Sequence, residues 1–188
     1  KPGIGYHFIT GMRFAGIQKG GGCVMRSISE TIENLDEDTM SGKYLTFLID
    51  KELYGIDISY VTEIVGIQEI TVMPNMPDYM KGIINLRGII VPLVDIRLRF
   101  SMEPKEYDDR TCVVVVDFEG MSIGLIVDSV SEVIDLATES IVELPQNSMG
   151  LTNRYIKNIG KLGSDVILLL NSEKLLTTDE FEELNEAV

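Results

Sequence analysis

The sequence predicts a mainly β protein made of two similar small-barrel units. Three observations carry this. One pattern occurs twice: residues 55–65 (GIDISYVTEIV) and 124–134 (GLIVDSVSEVI) align Gly55 on Gly124, Val61 on Val130 and Glu63 on Glu132. A second echo follows in the same order. Tyr79, Lys81, Ile83, Leu86, Val91, Leu93 and Asp95 match Tyr155, Lys157, Ile159, Leu162, Ile167, Leu169 and Asn171 at one constant offset. Finally, the apolar runs are short and are broken by Gly and Pro turns, the pattern of small barrels.

The elements follow in chain order. Tyr44 to Ile49 reads as a strand, Asp50-Lys51-Glu52 as its turn, and Leu53 to Ile58 as the returning arm of a hairpin. Ser59 is placed to cap a short helix, with Val61, Ile64 and Val65 at helical spacing. Glu69 to Met73 reads as a strand stopped by Pro74, and Pro77 to Met80 as a helical turn. A hairpin spans Ile83 to Asp95. Gly88 supplies the positive φ of its turn, and Pro92 requires an edge or a bulge because it cannot donate to a ladder. Arg99 to Arg110 is polar and connects the halves.

The second half repeats the logic. Cys112 to Asp117 is almost wholly apolar, as a strand buried on both faces would be. Glu119-Gly120 turns it and Ser122 to Val127 returns. Ile156 to Leu162 and Val166 to Leu170 flank the turn Gly163-Ser164-Asp165, and Asn171 to Leu176 makes a helical turn. Thr178 caps a last helix, Asp179 to Ala187, whose acidic first turn suits the helix dipole.

Composition narrows the function classes. The 188 residues suit one domain, or two small subdomains sharing a core, and 45% hydrophobic content is that of a packed globular protein. No uncharged apolar run reaches the roughly 18 residues of a membrane helix. Two cysteines, Cys23 and Cys112, make no disulfide framework. A net charge of −14 argues against direct binding to nucleic acid or to an anionic bilayer, and is compatible with basic protein partners. Residues 1–24 carry seven glycines and no Asp or Glu, which reads as a vector-derived or fusion leader. Residues 25–42 read as an acidic, flexible N-terminal arm. Residues 43–188 hold the domain, with subdomains at about 43–100 and 111–176 and strand exchange between them left open.

The search for chemistry returns almost nothing. The one histidine, His7, falls in the suspected leader. No His/Cys cluster has zinc spacing, and Gly20-Gly21-Gly22 lacks the Lys-Ser/Thr of a phosphate loop. Neither a catalytic residue nor a metal site nor a cofactor is predicted. Cys112 has no nearby histidine and reads as an apolar strand residue. Two charges stand out: Glu63 in an apolar stretch and Arg87 at the tip of an apolar hairpin. As solvated charges they are worth about 0–1 kcal/mol. As a mutual pair inside a desolvated interface, losing either would cost on the order of 2–5 kcal/mol.

At Lys81-Gly82-Ile83-Ile84-Asn85-Leu86-Arg87-Gly88-Ile89-Ile90-Val91-Pro92-Leu93-Val94-Asp95 the sequence strongly resembles the CheW family of bacterial chemotaxis coupling proteins. Tyr54 to Ile58, Val61 to Ile64, Gly124 to Val130 and Leu168 to Leu176 match as well, so the resemblance spans about residues 43–185. It implies two five-stranded SH3-like β-barrel subdomains on a shared hydrophobic core, with short helices and a C-terminal helix. It also implies a non-enzymatic adaptor that couples transmembrane chemoreceptors to the histidine kinase CheA. Such a protein binds the kinase's regulatory domain and the cytoplasmic tip of the receptor, working in the cytoplasm and recruited to the inner face of the membrane through receptor arrays. By resemblance Val61, Glu63, Gly82 and Arg87 fall at partner-binding positions, and Cys112 and Val133 at small apolar contact positions. Cys112 departs mildly from the family's aliphatic residue. Two rivals stay open: a coupling module of a larger kinase or coupling-receiver fusion, and a small enzyme with a carboxylate-only site.

Overall fold

The computed structural model describes residues 40–118, 120–144 and 154–175. The leader at 1–24, nearly all of the acidic arm at 25–42 and the expected C-terminal helix lie outside them. The described chain is mainly β. Its strands are β1 (Lys43–Ile49), β2 (Glu52–Asp57), β3 (Val61–Gly66), β4 (Met80–Leu86), β5 (Ile89–Asp95), β6 (Cys112–Phe118), β7 (Met121–Val127), β8 (Ser129–Asp135), β9 (Ile141–Glu143), β10 (Ile156–Leu162) and β11 (Asp165–Leu170). One short helix, α1 (Ile96–Arg99), follows β5. The strands form a six-stranded sheet, β8-β1-β2-β11-β10-β9, and a five-stranded sheet, β3-β6-β7-β5-β4.

The repeat is visible in this order. The five-stranded sheet is matched strand for strand by β8-β1-β2-β11-β10 in the other, with the roles of the two chain halves interchanged. Each half lends its first hairpin to the other's sheet: β1–β2 lies among β8 to β11, and β6–β7 lies among β3 to β5. Two parallel pairings close the exchange. Leu93 on β5 faces Gly124 on β7, and Leu169 on β11 faces Gly55 on β2. Both glycines and both leucines are partners in the sequence repeat.

The exchange explains the apolar runs. A strand with one face in each of two cores cannot alternate apolar with polar. On β6, Cys112, Val114 and Val116 face the large core between the sheets. Val113 and Val115 face a smaller core with Ile84, Val91, Leu93 and Ile126 inside the five-stranded unit. β1 and β2 likewise send Leu45, Phe47, Ile49, Tyr54 and Ile56 to the large core, while Tyr44 and Leu53 pack on a third core of Ile134, Leu136, Ile167 and Leu169.

The repeated glycines make the parallel pairings possible. A Cβ on Gly124 would lie 2.4 Å from a Leu93 methyl and 2.7 Å from a Val113 methyl, and on Gly55 it would lie 2.9 Å from a Leu169 methyl. Leu93 and Val113 are fully buried, so neither can swing away freely. Gly124→Ala is expected to destabilise by about 1–3 kcal/mol through overpacking. Urea unfolding checks this, and an unchanged midpoint would show that the core relaxes around a methyl.

Several expectations need correction. Residues 61–66 are β3, not a helix; only Ile58–Tyr60 forms a 3-10 turn, and Asp57 rather than Ser59 caps it. Pairing with β6 overrides the helical spacing, and β3 holds Val61 and Ile64 against the core instead. Residues 69–73 form no strand but a single bridge, Thr71 to Ile83. Pro92 sits in a central strand. Its partner Ile83 directs its N–H and C=O to Thr71, so Ile83 and Pro92 form a non-hydrogen-bonded pair. On its other side, pairing with β7 starts only at Leu93, and no ladder bond is lost. Strands β8 and β9 were not foreseen, because β8 alternates poorly and β9 is three residues long.

Candidate partner-binding surfaces

The six residues singled out from sequence fall into three places. Glu63 and Arg87 come together. Arg87 Nη2 donates to Glu63 Oε1 at 2.8 Å. β3 and β4 are opposite edges of the five-stranded sheet, so the sheet curls far enough for the tip of the β4–β5 hairpin to reach back to β3. The Arg87 side chain is 83% exposed and the Glu63 side chain 30%. The pair is therefore a polar spot on the surface, held on one side by the sheet.

The turn that presents Arg87 is tighter than the single glycine implied. Arg87 has φ 53° and Gly88 has φ 94°, the two positive values of a type I′ hairpin turn. Asn85 Oδ1 accepts the Gly88 N–H at 2.7 Å and braces the turn. An arginine in the left-handed region costs about 1 kcal/mol or more, and here it aims the guanidinium across the curl of the sheet. Ile89, next to the turn, is 59% exposed, so an apolar side chain stands beside the ion pair.

Gly82 is in the second place. It closes a bulge in β4, where the register shifts between Met80 and Gly82, and has φ 134°. A Cβ there would sit 2.1 Å from the Thr71 carbonyl oxygen. Its structural task is plain: it lets residues 70–71 lie against the outer edge of β4 and make the Thr71–Ile83 bridge. A side chain at this position would push that segment away, along with Val72, which is highly exposed.

Val61, Cys112 and Val133 form the third group. Val61 and Cys112 are buried in the large core, and half-buried Val133 packs against it from β8. Cys112 donates to the Arg110 carbonyl at 3.0 Å and accepts from the Val130 N–H, so its sulfur joins the five-stranded sheet to β8 of the other. Burial pushes its thiol up. The Val130 contact opposes this and the Asp108 charge adds to it, leaving a protonated, unreactive group.

Sequence reasoning missed a polar cluster at the rim of the seam. Arg97 on α1 grips Asp128 with two hydrogen bonds, Nε to Oδ1 at 2.7 Å and Nη2 to Oδ2 at 2.5 Å. The Asp50 N–H donates to the same carboxylate at 2.9 Å, and Lys105 Nζ lies 3.6 Å away. Burial alone would raise the Asp128 carboxyl. The Arg97 and Asp50 hydrogen bonds, with the Arg97 and Lys105 charges, outweigh it and hold the group below the usual carboxylate range. Asp128 ends the apolar run of β7, and that break was its one sequence signal. Nearby, Asp95 accepts from Leu98 N to start α1 and from the Tyr107 hydroxyl at 2.8 Å.

The far end of the six-stranded sheet is different. There Val142, Leu162 and Val166 are exposed on β9, β10 and β11. By the repeat, Glu132 stands where Glu63 stands, but Gly163 replaces Arg87. One end thus carries an ion pair and the other an apolar surface. Among the described residues no group of His, Cys, Asp or Glu could hold a metal ion, and no helix is long and apolar enough to cross a membrane.

Comparison with known proteins identifies the family. The model of the CheW-like domain matches residues 43–180. The chemotaxis protein CheW of Klebsiella aerogenes is 39% identical over 150 residues, covering 80% of this chain and 90% of that protein. The chemotaxis protein CheW of Treponema pallidum is 33% identical over 144 residues, covering 74% of this chain and 85% of that protein. The crystal structure of the scaffolding protein TtCheW from Thermoanaerobacter tengcongensis superposes with a TM-score of 0.69 at 32% identity, covering 74% of this chain and 94% of that one. The chain belongs to the CheW family of chemotaxis scaffold proteins, which have no catalytic activity of their own.

Proposed function

We propose that this protein couples transmembrane chemoreceptors to the histidine kinase CheA by binding both, in the cytoplasm, where receptor arrays recruit it to the inner face of the membrane. The observation that carries this reading is the Glu63–Arg87 pair. A guanidinium that is almost fully exposed, yet held at 2.8 Å by a carboxylate and flanked by exposed Ile89, is a preformed polar contact within an apolar surround. Such a spot fixes the register of an amphipathic helix laid across it, as the tip of a receptor's helical hairpin would be. Val61, Cys112 and Val133 back this surface from the large core, and Gly82 holds the adjoining edge segment in place. The kinase's regulatory domain, itself similar in fold, docks end to end through a second, apolar patch. About 800 Å² per partner is enough for specific binding at each surface.

Signal transfer then needs no chemistry in this chain. The test is titration of the protein against the CheA regulatory domain and, separately, against a receptor cytoplasmic hairpin. Independent binding to both at micromolar strength or better supports the bridge. Binding to one alone reduces the role to an accessory of that partner, and binding to neither leaves only the fold in common with the family.

A further inference from the structure

Arg99 ends α1 and is buried, 6% exposed. Its guanidinium carbon lies 4.2 Å from the centroid of the Tyr79 ring and 5.3 Å from that of Tyr155. Its Nε donates to the Leu175 carbonyl at 2.8 Å. Tyr79 and Tyr155 are partners in the repeat, and they do the same work in each half. The Tyr79 carbonyl accepts the Asp95 N–H and the Tyr155 carbonyl accepts the Asn171 N–H, both at 2.8 Å. The same offset places Arg99 itself on Leu175. Arg99 therefore touches both members of one repeated pair and its own counterpart. Two halves that trade sheets when interchanged are related by an approximate twofold axis, and a residue that meets its own counterpart stands on it.

We propose that Arg99 is a positioning residue that fixes the orientation of the two sheets relative to each other. The large core between them is apolar, and apolar burial is non-directional: it holds surfaces together without choosing an angle. The Arg99 contacts are directional. A planar guanidinium stacked on a ring from each half, with an N–H aimed at one carbonyl, sets both rotation and separation. Lysine would keep the charge but not the plane or the Nε–H.

The test measures orientation apart from stability. Spin labels are placed at exposed Asp117 on β6 and exposed Lys161 on β10, in the full chain with Cys23→Ser, and the distance distribution between them is recorded. Arg99→Met and Arg99→Lys are each expected to lose the single narrow distance of the parent. Asp128→Ala, which removes an ion pair at the rim of the same seam, is expected to lower the melting temperature and keep that distance. Should Arg99→Met not fold, Arg99→Lys decides. An unchanged distance in folded Arg99→Lys, or equal broadening in Asp128→Ala, overturns the proposal and leaves Arg99 a stabilising residue only.

Discussion

Asp128→Ala is expected to be among the most damaging single changes in the described chain. It leaves the Arg97 guanidinium in a largely buried place without its two-point partner, and it removes the acceptor of the Asp50 N–H. Breaking such a pair from one side costs on the order of 3 kcal/mol. Chemical unfolding at neutral pH checks the figure. A cost below that of an ordinary surface pair, about 1 kcal/mol, would mean that water reaches Arg97 freely. The same carboxylate sets an acid limit. Its titration point in the folded state is held below its unfolded value of about 4. Its contribution is therefore complete above that value and is lost as pH falls through the lower, folded one. Stability of the parent should drop steeply below about pH 4, and the Asp128→Ala variant should lack that share of the drop.

Arg87→Ala is expected to act on binding rather than on folding. As an exposed pair, Glu63–Arg87 contributes about 0–1 kcal/mol to stability. Once a partner covers it, the loss becomes on the order of 2 kcal/mol or more, about thirtyfold in Kd. Calorimetric titration with a receptor hairpin, alongside a thermal melt, separates the two effects. A collapsed melt would make Arg87 structural. In a double-mutant cycle Glu63→Ala and Arg87→Ala should be non-additive for binding, and strict additivity would sink the paired reading.

Much of this was legible because the residues that build the frame are scarce types in fixed places. Gly55 and Gly124 announced the repeat, and each proved to be the point where a leucine from a parallel strand crowds the backbone. The unbroken apolar run from Cys112 announced a strand between two cores. What escaped was decided by partners distant in the chain. Val61 and Ile64 sit at helical spacing, yet β6 recruits them into a strand. The positive φ at Arg87 is imposed by hairpin geometry, and no residue-type preference signals it. Arg97 and Arg99 look alike in sequence, two residues apart. One reaches a carboxylate at the rim and the other a pair of tyrosines on the axis, and only the packing of α1 against both halves separates them.

The lending of hairpins between halves also bears on how the chain comes into being. A ribosome that has released only the first repeat has released β3, β4 and β5 without β6 and β7, and in the finished sheet β3 touches β5 only through those two strands. The β1–β2 hairpin is likewise still waiting for β8 and β11. Nothing resembling a finished half can emerge ahead of the rest. Assembly is deferred until the second repeat is out, with the slow ordering expected when pairing partners are far apart in sequence. A truncated product of translation is left with unpaired edges rather than one working end. Such a fragment offers those unpaired edges to proteolysis and aggregation instead.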